Sequence, residues 1–284
     1  MSLDEFAIFI LSNGRPDRVY TVNTILSQGY TGKYYIILDN EDSTKDAYIN
    51  KFGIEHILVF DKKKVASSFD IMDNFNNNKV VVYARNVCFD LARQLNLKYF
   101  LELEDDYKLF EIRSEEDNKL LTYKIKNLDA MCLTMLEFLE DSNALTVAFA
   151  QGGDLIGGLN GSAWRTKIKR KAMNSFFCKV DNEFTFIGRM NDDVNTYTTL
   201  GSIGKLFLTI CNVDLVQMQT QAAIGGNSDA YLKYGTYLKS FYSVMCMPSS
   251  VKISMMGEQH QRIHHIVDWE TCVPKIVSWR FKNG

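Results

Sequence analysis

Apolar residues in this chain gather into short unbroken runs, each followed by a polar turn and then by a stretch with helical spacing. Phe6, Ala7, Ile8, Phe9, Ile10 and Leu11 form the first run, a buried strand that stops at the turn cluster Ser12-Asn-Gly-Arg-Pro16. Residues 18–28 then carry a helix-like repeat. A second strand over 34–38 ends on Asp39-Asn-Glu-Asp42, a helix follows over 43–52, and 57–60 is a third strand. This alternation predicts a parallel sheet with helices on its faces, and ligands then bind beyond the carboxyl ends of the strands. Segments 12–15 and 39–42 should therefore share one rim. Val87, Leu91 and Leu95 mark one face of a helix over 83–95, with Arg85 and Asn86 in its first turn. A strand over 99–103 delivers Glu104-Asp105-Asp106, a long amphipathic helix covers 126–141, and 145–150 is another strand.

Beyond residue 150 the pattern changes. Gly152, Gly153, Gly157, Gly158 and Gly161 crowd one short stretch, as ordinary tight turns or as backbone that closely approaches a ligand. Ala223-Ile-Gly-Gly-Asn227 poses the same choice. No internal repeat or low-complexity tract is evident, apart from the short Asn-rich stretch 74–78. The length of 284 residues, 46% hydrophobic and 23% charged with three prolines, excludes collagen-like or long disordered tracts. No apolar run approaches the ~18 residues of a membrane helix. The N-terminus has no basic or extended apolar leader, so the expectation is a cytoplasmic protein. Six scattered cysteines, without a C-x-x-C pair, predict free and mostly buried thiols.

Net charge is −2 overall, but residues 1–150 carry 17 Lys/Arg against 24 Asp/Glu while 151–284 carry 15 against 10. An acidic half joined to a basic half predicts two chemically different surfaces.

Glu104-Asp105-Asp106 is the most informative motif. Three consecutive carboxylates at a buried strand end repel one another unless a cation or donor set neutralises them. Hard oxygen ligands suit Mg²⁺ or Mn²⁺, which keep several waters and bind one or two carboxylates plus substrate phosphates. The alternative is a solvated acidic loop. Asp192-Asp193 precede a helix over 194–200, either as chemistry or as ordinary dipole partners in a first turn. His260, His264 and His265 cluster near the C-terminus. The pair 260/264 would share a face if helical, and one late histidine completing a carboxylate metal site is the economical reading beside solvent or core histidines. His56 reads as structural. Five cations within 165–171 suit phosphate contacts on a polyanion, or form a solvated face, and Trp164 beside them suits stacking on a base.

The order of Ser12-Asn-Gly-Arg15, Asp39, Ala84-Arg-Asn86, Glu104-Asp105-Asp106, Asn191-Asp-Asp193 and a C-terminal His resembles a GT-A glycosyltransferase over nearly the whole chain. More narrowly, His264-His-Ile-Val-Asp-Trp-Glu-Thr-Cys-Val-Pro-Lys275 and Gly188-Arg-Met-Asn-Asp-Asp193 are similar to the bacteriophage glycosyltransferases associated with TET/JBP-type DNA hydroxylases. The resemblance implies an α/β fold with a Rossmann-like, mostly parallel central sheet flanked by helices. Residues 1–150 would form the nucleotide-sugar (donor) half, and 151–284 the acceptor half of the same domain. It implies that Ser12 and Arg15 touch the nucleotide, Asp39 its base, and Arg85 its ribose or phosphates, with Glu104 and Asp105 on the nucleoside side. Asp106 would bind Mn²⁺ or Mg²⁺, with His264 or His265 closing the metal shell. Asp193, or its neighbour Asp192, would take the acceptor proton. Glu-x-x beside two aspartates departs from the D-x-D spelling, so the choice within each pair stays open.

The implied activity is metal-dependent transfer from a UDP-sugar to the hydroxymethyl group of a modified pyrimidine, 5-hydroxymethylcytosine, in phage DNA in the host cytoplasm. Trp164, Lys167, Lys169, Arg170 and Lys171 are the expected acceptor contacts, and no membrane is involved. The rivals are a glycosyltransferase with a protein, lipid or polysaccharide acceptor, a nucleotidyltransferase, which lacks a G-x-G triphosphate signature here, and a non-catalytic DNA-binding module. The sugar, the stereochemical course and the oligomeric state stay open.

Overall fold

The computed structural model describes residues 1–75, 79–218, 235, 237–257 and 261–272. The stretch 223–227, His260 and the end of the 264–275 motif lie outside these described residues. The first half runs β1 (Phe6–Leu11), α1 (Tyr20–Ser27), β2 (Lys33–Asp39), α2 (Lys45–Phe52), β3 (Ile57–Phe60) and α3 (Lys62–Ala66). It continues through α4 (Val81–Gln94), β4 (Tyr99–Glu104), β5 (Tyr107–Glu116), β6 (Lys119–Lys124), α5 (Leu128–Ser142) and β7 (Thr146–Gln151). The second half contains α6 (Ser162–Thr166), β8 (Ile168–Lys169), β9 (Ser175–Lys179), α7 (Asp192–Ser202) and β10 (Phe207–Gln217). It ends with α8 (Leu238–Cys246), β11 (Val251–Met256) and β12 (Arg262–Val267).

One ten-stranded sheet has the order β3-β2-β1-β4-β9-β7-β10-β5-β6, with β8 pairing β10. Its pairings send β1, β2, β3, β4, β6, β7 and β10 one way and β5, β8 and β9 the other. The mostly parallel sheet flanked by helices expected from the sequence is therefore the one found. Strand order reverses around β1 and β4, so both strand ends open onto one crevice.

Alternation along β1 explains why both faces are covered. Phe6, Ile8 and Ile10 pack into a core layer with Val22 and Ile25 of α1 and Leu128, Met135 and Leu136 of α5. Ala7, Phe9 and Leu11 enter the opposite layer with Val87, Phe89 and Leu91 of α4 and Val194 and Tyr197 of α7. Asn127 caps α5 by accepting the Ala130 N–H, and Asn143 closes it in the left-handed conformation at φ 51°. All six cysteines are free, and only Cys246 is not fully buried.

The antiparallel hairpin β5–β6 directly after the acidic triplet is not marked by the sequence pattern. The late histidines also differ from expectation, because His264 and His265 lie on strand β12, paired antiparallel with β11, and not on a helix. Among the described residues no helix is long and apolar enough to cross a membrane.

Candidate active site

The two loops that follow β1 and β2 meet at one rim. Asn13 donates its side-chain N–H to Asp39 at 2.7 Å, and the Gly14 N–H reaches Asp42 at 2.8 Å. Gly14 stands at φ +69° in open space, a conformation that favours glycine and lets this tight turn form. Asp39 is buried and pairs with the equally buried Lys62 ammonium at 2.9 Å. Ser12 and Arg15 turn inward. The Ser12 hydroxyl donates to Asp105 Oδ2 at 2.5 Å, and Arg15 Nε meets the same oxygen at 2.7 Å. Tyr48 OH lies 2.7 Å from Ser12 Oγ and accepts the Arg15 N–H at 3.0 Å. Asp105 of the triplet thus packs against the first loop, and the shared rim of 12–15 and 39–42 is the one expected from the sequence.

Arg85 lies elsewhere than expected. It is 3% exposed, and its guanidinium holds Glu102 at 2.5 Å, Glu104 at 2.8 Å and Asp192 at 2.7 Å. Phe176 and Phe186 cover its flat faces. All three nitrogen positions of its fork face carboxylates, so Arg85 does not present itself to a ribose or phosphate. Its neighbour Asn86 grips the backbone of Phe186 in both directions, accepting at 2.7 Å and donating at 3.1 Å.

This arrangement joins the end of β4 to the start of α7 in one acidic cluster. Glu102, Glu104, Asp105, Asp106, Asp192 and Asp193 face two guanidinium partners, Arg15 and Arg85. Burial, only partly offset by Arg85, pushes Glu102 and Glu104 up to about 7. Burial also raises Asp192 and Asp193, and their mutual repulsion adds to the rise at Asp192. Asp105 and Asp106 are raised by burial as well. The Gln217 amide spans Glu104 and Asp106 at 3.3 Å each, which leaves Asp106 Oδ1 buried without a partner. Glu102 Oε2 and Asp105 Oδ1 are likewise buried without a hydrogen-bond partner, and an excess of buried carboxylates with orphaned oxygens fits a hard divalent cation, bound by few protein ligands and completed by ligand oxygens. Among the described residues no group of three or more His, Cys, Asp or Glu is spaced to hold a metal. Asp106, His264 and His265 therefore do not form a preassembled shell.

The two aspartates of the later pair are now distinguishable. Asp192 is committed to Arg85, whereas Asp193 is half-buried, accepts the adjacent Val194 N–H at 2.8 Å in the first turn of α7 and faces the Lys171 and Lys239 charges. Asn191, at φ 52°, points its amide at Lys239 O, Ser243 Oγ and His265 Nδ1, at 3.0, 3.1 and 3.3 Å. Burial, the adjacent His264 and the Lys239 and Lys171 charges push His265 down to about 4, which favours the neutral imidazole.

The basic strip is only partly available. Trp164 is 4% exposed, donates its indole N–H to Glu115 at 2.9 Å and lies under the Lys167 ammonium. The expectation that it stacks on a base is corrected, since a buried, bonded indole offers no free face. Lys169 reaches Asp154 at 3.2 Å and Lys171 contacts the same buried carboxylate, so both ammonium groups are engaged by one internal charge. Lys167 is half-exposed and Arg165 and Arg170 are exposed.

Sequence reasoning missed Tyr48, Lys62, Glu102, Asp154 and Gln217. A glutamate at an inward position of an otherwise apolar strand was the available signal for Glu102, whereas Tyr48, Lys62, Asp154 and Gln217 carry no local one.

A family model described as TET-Associated Glycosyltransferase matches residues 6–226. The chain is a glycosyltransferase, in the mostly parallel α/β arrangement described above. It belongs to the TET-associated glycosyltransferase family. Similar solved structures include glucosyl-3-phosphoglycerate synthase from Mycobacterium tuberculosis in complex with Mn²⁺, uridine-diphosphate and phosphoglyceric acid, at 8% identity and TM-score 0.43, over 92% of this chain and 86% of that one. Another is S. aureus TarS 1-349 in complex with UDP-GlcNAc, at 9% identity and TM-score 0.42, over 85% of this chain and 66% of that one. No curated protein matches the sequence.

Proposed function

We propose that this glycosyltransferase moves a sugar from a UDP-sugar to the hydroxymethyl group of 5-hydroxymethylcytosine in bacteriophage DNA, with Mn²⁺ or Mg²⁺ at the strand-end carboxylates. The observation that carries the reading is the six-carboxylate cluster facing two arginines, with Asp106 Oδ1 buried and unpartnered, in a member of this family. In this reading residues 1–150 form the donor half and 151–284 the acceptor half. Ser12, Arg15 and Asp39 line the nucleoside side, with Glu104 and Asp105 behind them. Asp106 would hold the metal, with His264 or His265 joining from β12, and a bound divalent cation would stabilise the negative charge on the departing diphosphate.

Asp193 is the base of choice. An alcohol is a poor nucleophile until its proton is taken, and Asp193 is the member of the pair not engaged by Arg85. Its raised affinity for protons, caused by burial, suits a group that must accept one near neutral pH. Lys167 and Arg170 would contact acceptor phosphates, whereas Lys169 and Lys171 must leave Asp154 to do so. The burial of Trp164 favours, as second reading, transfer to an acceptor other than DNA.

The test is product mass spectrometry after incubation with Mn²⁺, a panel of UDP-sugars and DNA containing cytosine or 5-hydroxymethylcytosine. A sugar-sized mass increase only on the hydroxymethylated DNA is expected. Metal-dependent hydrolysis of one UDP-sugar with no DNA product would retain the donor assignment and overturn the acceptor.

A further inference from the structure

Helix α4 presents two adjacent polar side chains, Arg85 and Asn86, to the segment that leads into Asp192 and Asp193. Asn86 closes a two-way hydrogen bond with the Phe186 backbone, and Arg85 binds Asp192 at the segment's far end. The same guanidinium ties that end to β4 through Glu102 and Glu104. Glu102 is 0% exposed and two residues before the acidic triplet, where nothing outside the protein can reach it. A buried carboxylate at such a position is costly unless it is bonded, and its partner is this arginine. The planar fork suits the task, because its two terminal nitrogens hydrogen-bond Glu102 and Glu104 at once while Nε holds Asp192 as an ion pair, whereas a lysine is a single point charge.

We infer that Arg85 is a positioning residue, a clamp that fixes the Asp192-Asp193 segment against the β4 strand end so that the proton acceptor and the donor-binding carboxylates keep one geometry. This rests on the reading of Asp193 as the base. Arg85 touches neither donor nor acceptor. It acts through Asp192 and Glu104, and Glu102 serves to aim it.

The test uses Arg85→Lys and, since that variant can fail to fold, Glu102→Gln, which keeps shape while removing one carboxylate charge. For Arg85→Lys, kcat for transfer is expected to fall about 100-fold, the scale of a small misplacement of reacting groups. Donor KM and direct UDP binding in the presence of Mn²⁺ should stay within about threefold, because no donor contact is lost. For Glu102→Gln the same split is expected at about a tenfold loss of kcat. A parallel fall in UDP affinity would instead make Arg85 a phosphate or ribose contact and overturn the clamp.

Amide hydrogen exchange supplies a readout that needs no substrate. Residues 187–193 should exchange faster in both variants while β1 and β4 stay protected. Unchanged exchange there together with unchanged kcat overturns the inference. If wild-type protein turns over no sugar nucleotide, the functional reading fails, while faster exchange confined to 187–193 still supports the clamp.

Discussion

Arg85 and Arg189 are both almost completely buried, at 3% and 1% exposure, yet they are solvated by the protein in opposite ways. Arg189 meets one carboxylate in a bidentate pair, with Asp73 at 2.6 and 3.0 Å, and adds a bond to the Phe75 carbonyl at 3.3 Å. Tyr242 of α8 donates to the same Asp73 at 2.5 Å. That network sets one guanidinium against one carboxylate among the described residues and joins three segments, the loop before α4, the loop before α7, and α8. Arg85 has three carboxylates on one charge. Folding alone has no use for such an excess, since buried like charges destabilise. The contrast separates scaffold from site: a matched buried pair holds the chain, and a mismatched one awaits a further cation or proton.

Asp106→Ala is the largest expected break. Turnover should fall by a factor on the order of 10²–10³ or more if the cation is anchored there, whereas Tm should hold or rise because a carboxylate leaves a crowded group. Steady-state kinetics beside thermal melts check both. Near-normal turnover would remove Asp106 from the metal site.

Asp73→Ala reverses that pattern. It takes the bidentate carboxylate away from a buried guanidinium, and breaking such a pair costs about 3–5 kcal/mol. A drop in Tm of about 10 °C is expected for a chain of this size. Glu102→Gln should change stability by no more than about 1 kcal/mol. Equal losses of stability in the two variants, seen by denaturant unfolding, would erase the distinction between the arginines.

The pH dependence of stability sharpens the same comparison. The Asp73 pKa is lowered overall, because hydrogen bonds from Arg189 and Tyr242 outweigh the opposing effect of burial. Its contribution is therefore present above the ordinary carboxylate range and is lost as pH falls through the lowered value. Glu102 runs the other way. Burial raises it to about 7, so the folded state binds its proton more tightly than the unfolded chain, and stability declines as pH rises from the ordinary range to about 7. Asp73→Asn should flatten the acid limb of a stability–pH curve, and Glu102→Gln the rise-to-neutral limb. A neutral limb unchanged in Glu102→Gln would show that this carboxyl is ionised at no cost.

The first 60 residues were legible because β1 throughout, and β2 over its last four residues, are buried and read, up to Asp39, as continuous apolar runs. The β5–β6 hairpin was not, because its outer positions alternate exposed and half-buried, and Glu111, Glu115, Glu116 and Lys119 look like loop residues. Strand β9 gave no clue to its direction, since antiparallel insertion between β4 and β7 depends on where the chain returns. Candidate residues were found where chemistry concentrates locally, as in 104–106 and 192–193. Their partners escaped notice because pairing is long-range: Arg85 with Asp192, Arg189 with Asp73, and Lys171 with Asp154. One charge in a sequence says nothing about whether another already matches it.

The basic segment shows what that lack costs, and it carries the smallest effect. By sequence its five cations are equivalent, but Lys169 and Lys171 neutralise Asp154, whose pKa falls because the Lys171 charge and hydrogen bond prevail over burial. Arg165 and Arg170 are exposed, and among the described residues neither forms an ion pair that it would have to surrender. If DNA binds here, each phosphate contact contributes roughly 0.9 to the slope of log affinity against log salt. Arg165→Ala with Arg170→Ala should therefore lower the slope by up to about 2. Lys169→Ala with Lys171→Ala should change it less and lower Tm instead, because Asp154 is left buried without its cations. Binding titrations across salt concentrations, run beside melts, separate the two pairs. A larger slope change from the lysine pair would mean that Asp154 releases them on contact with the acceptor.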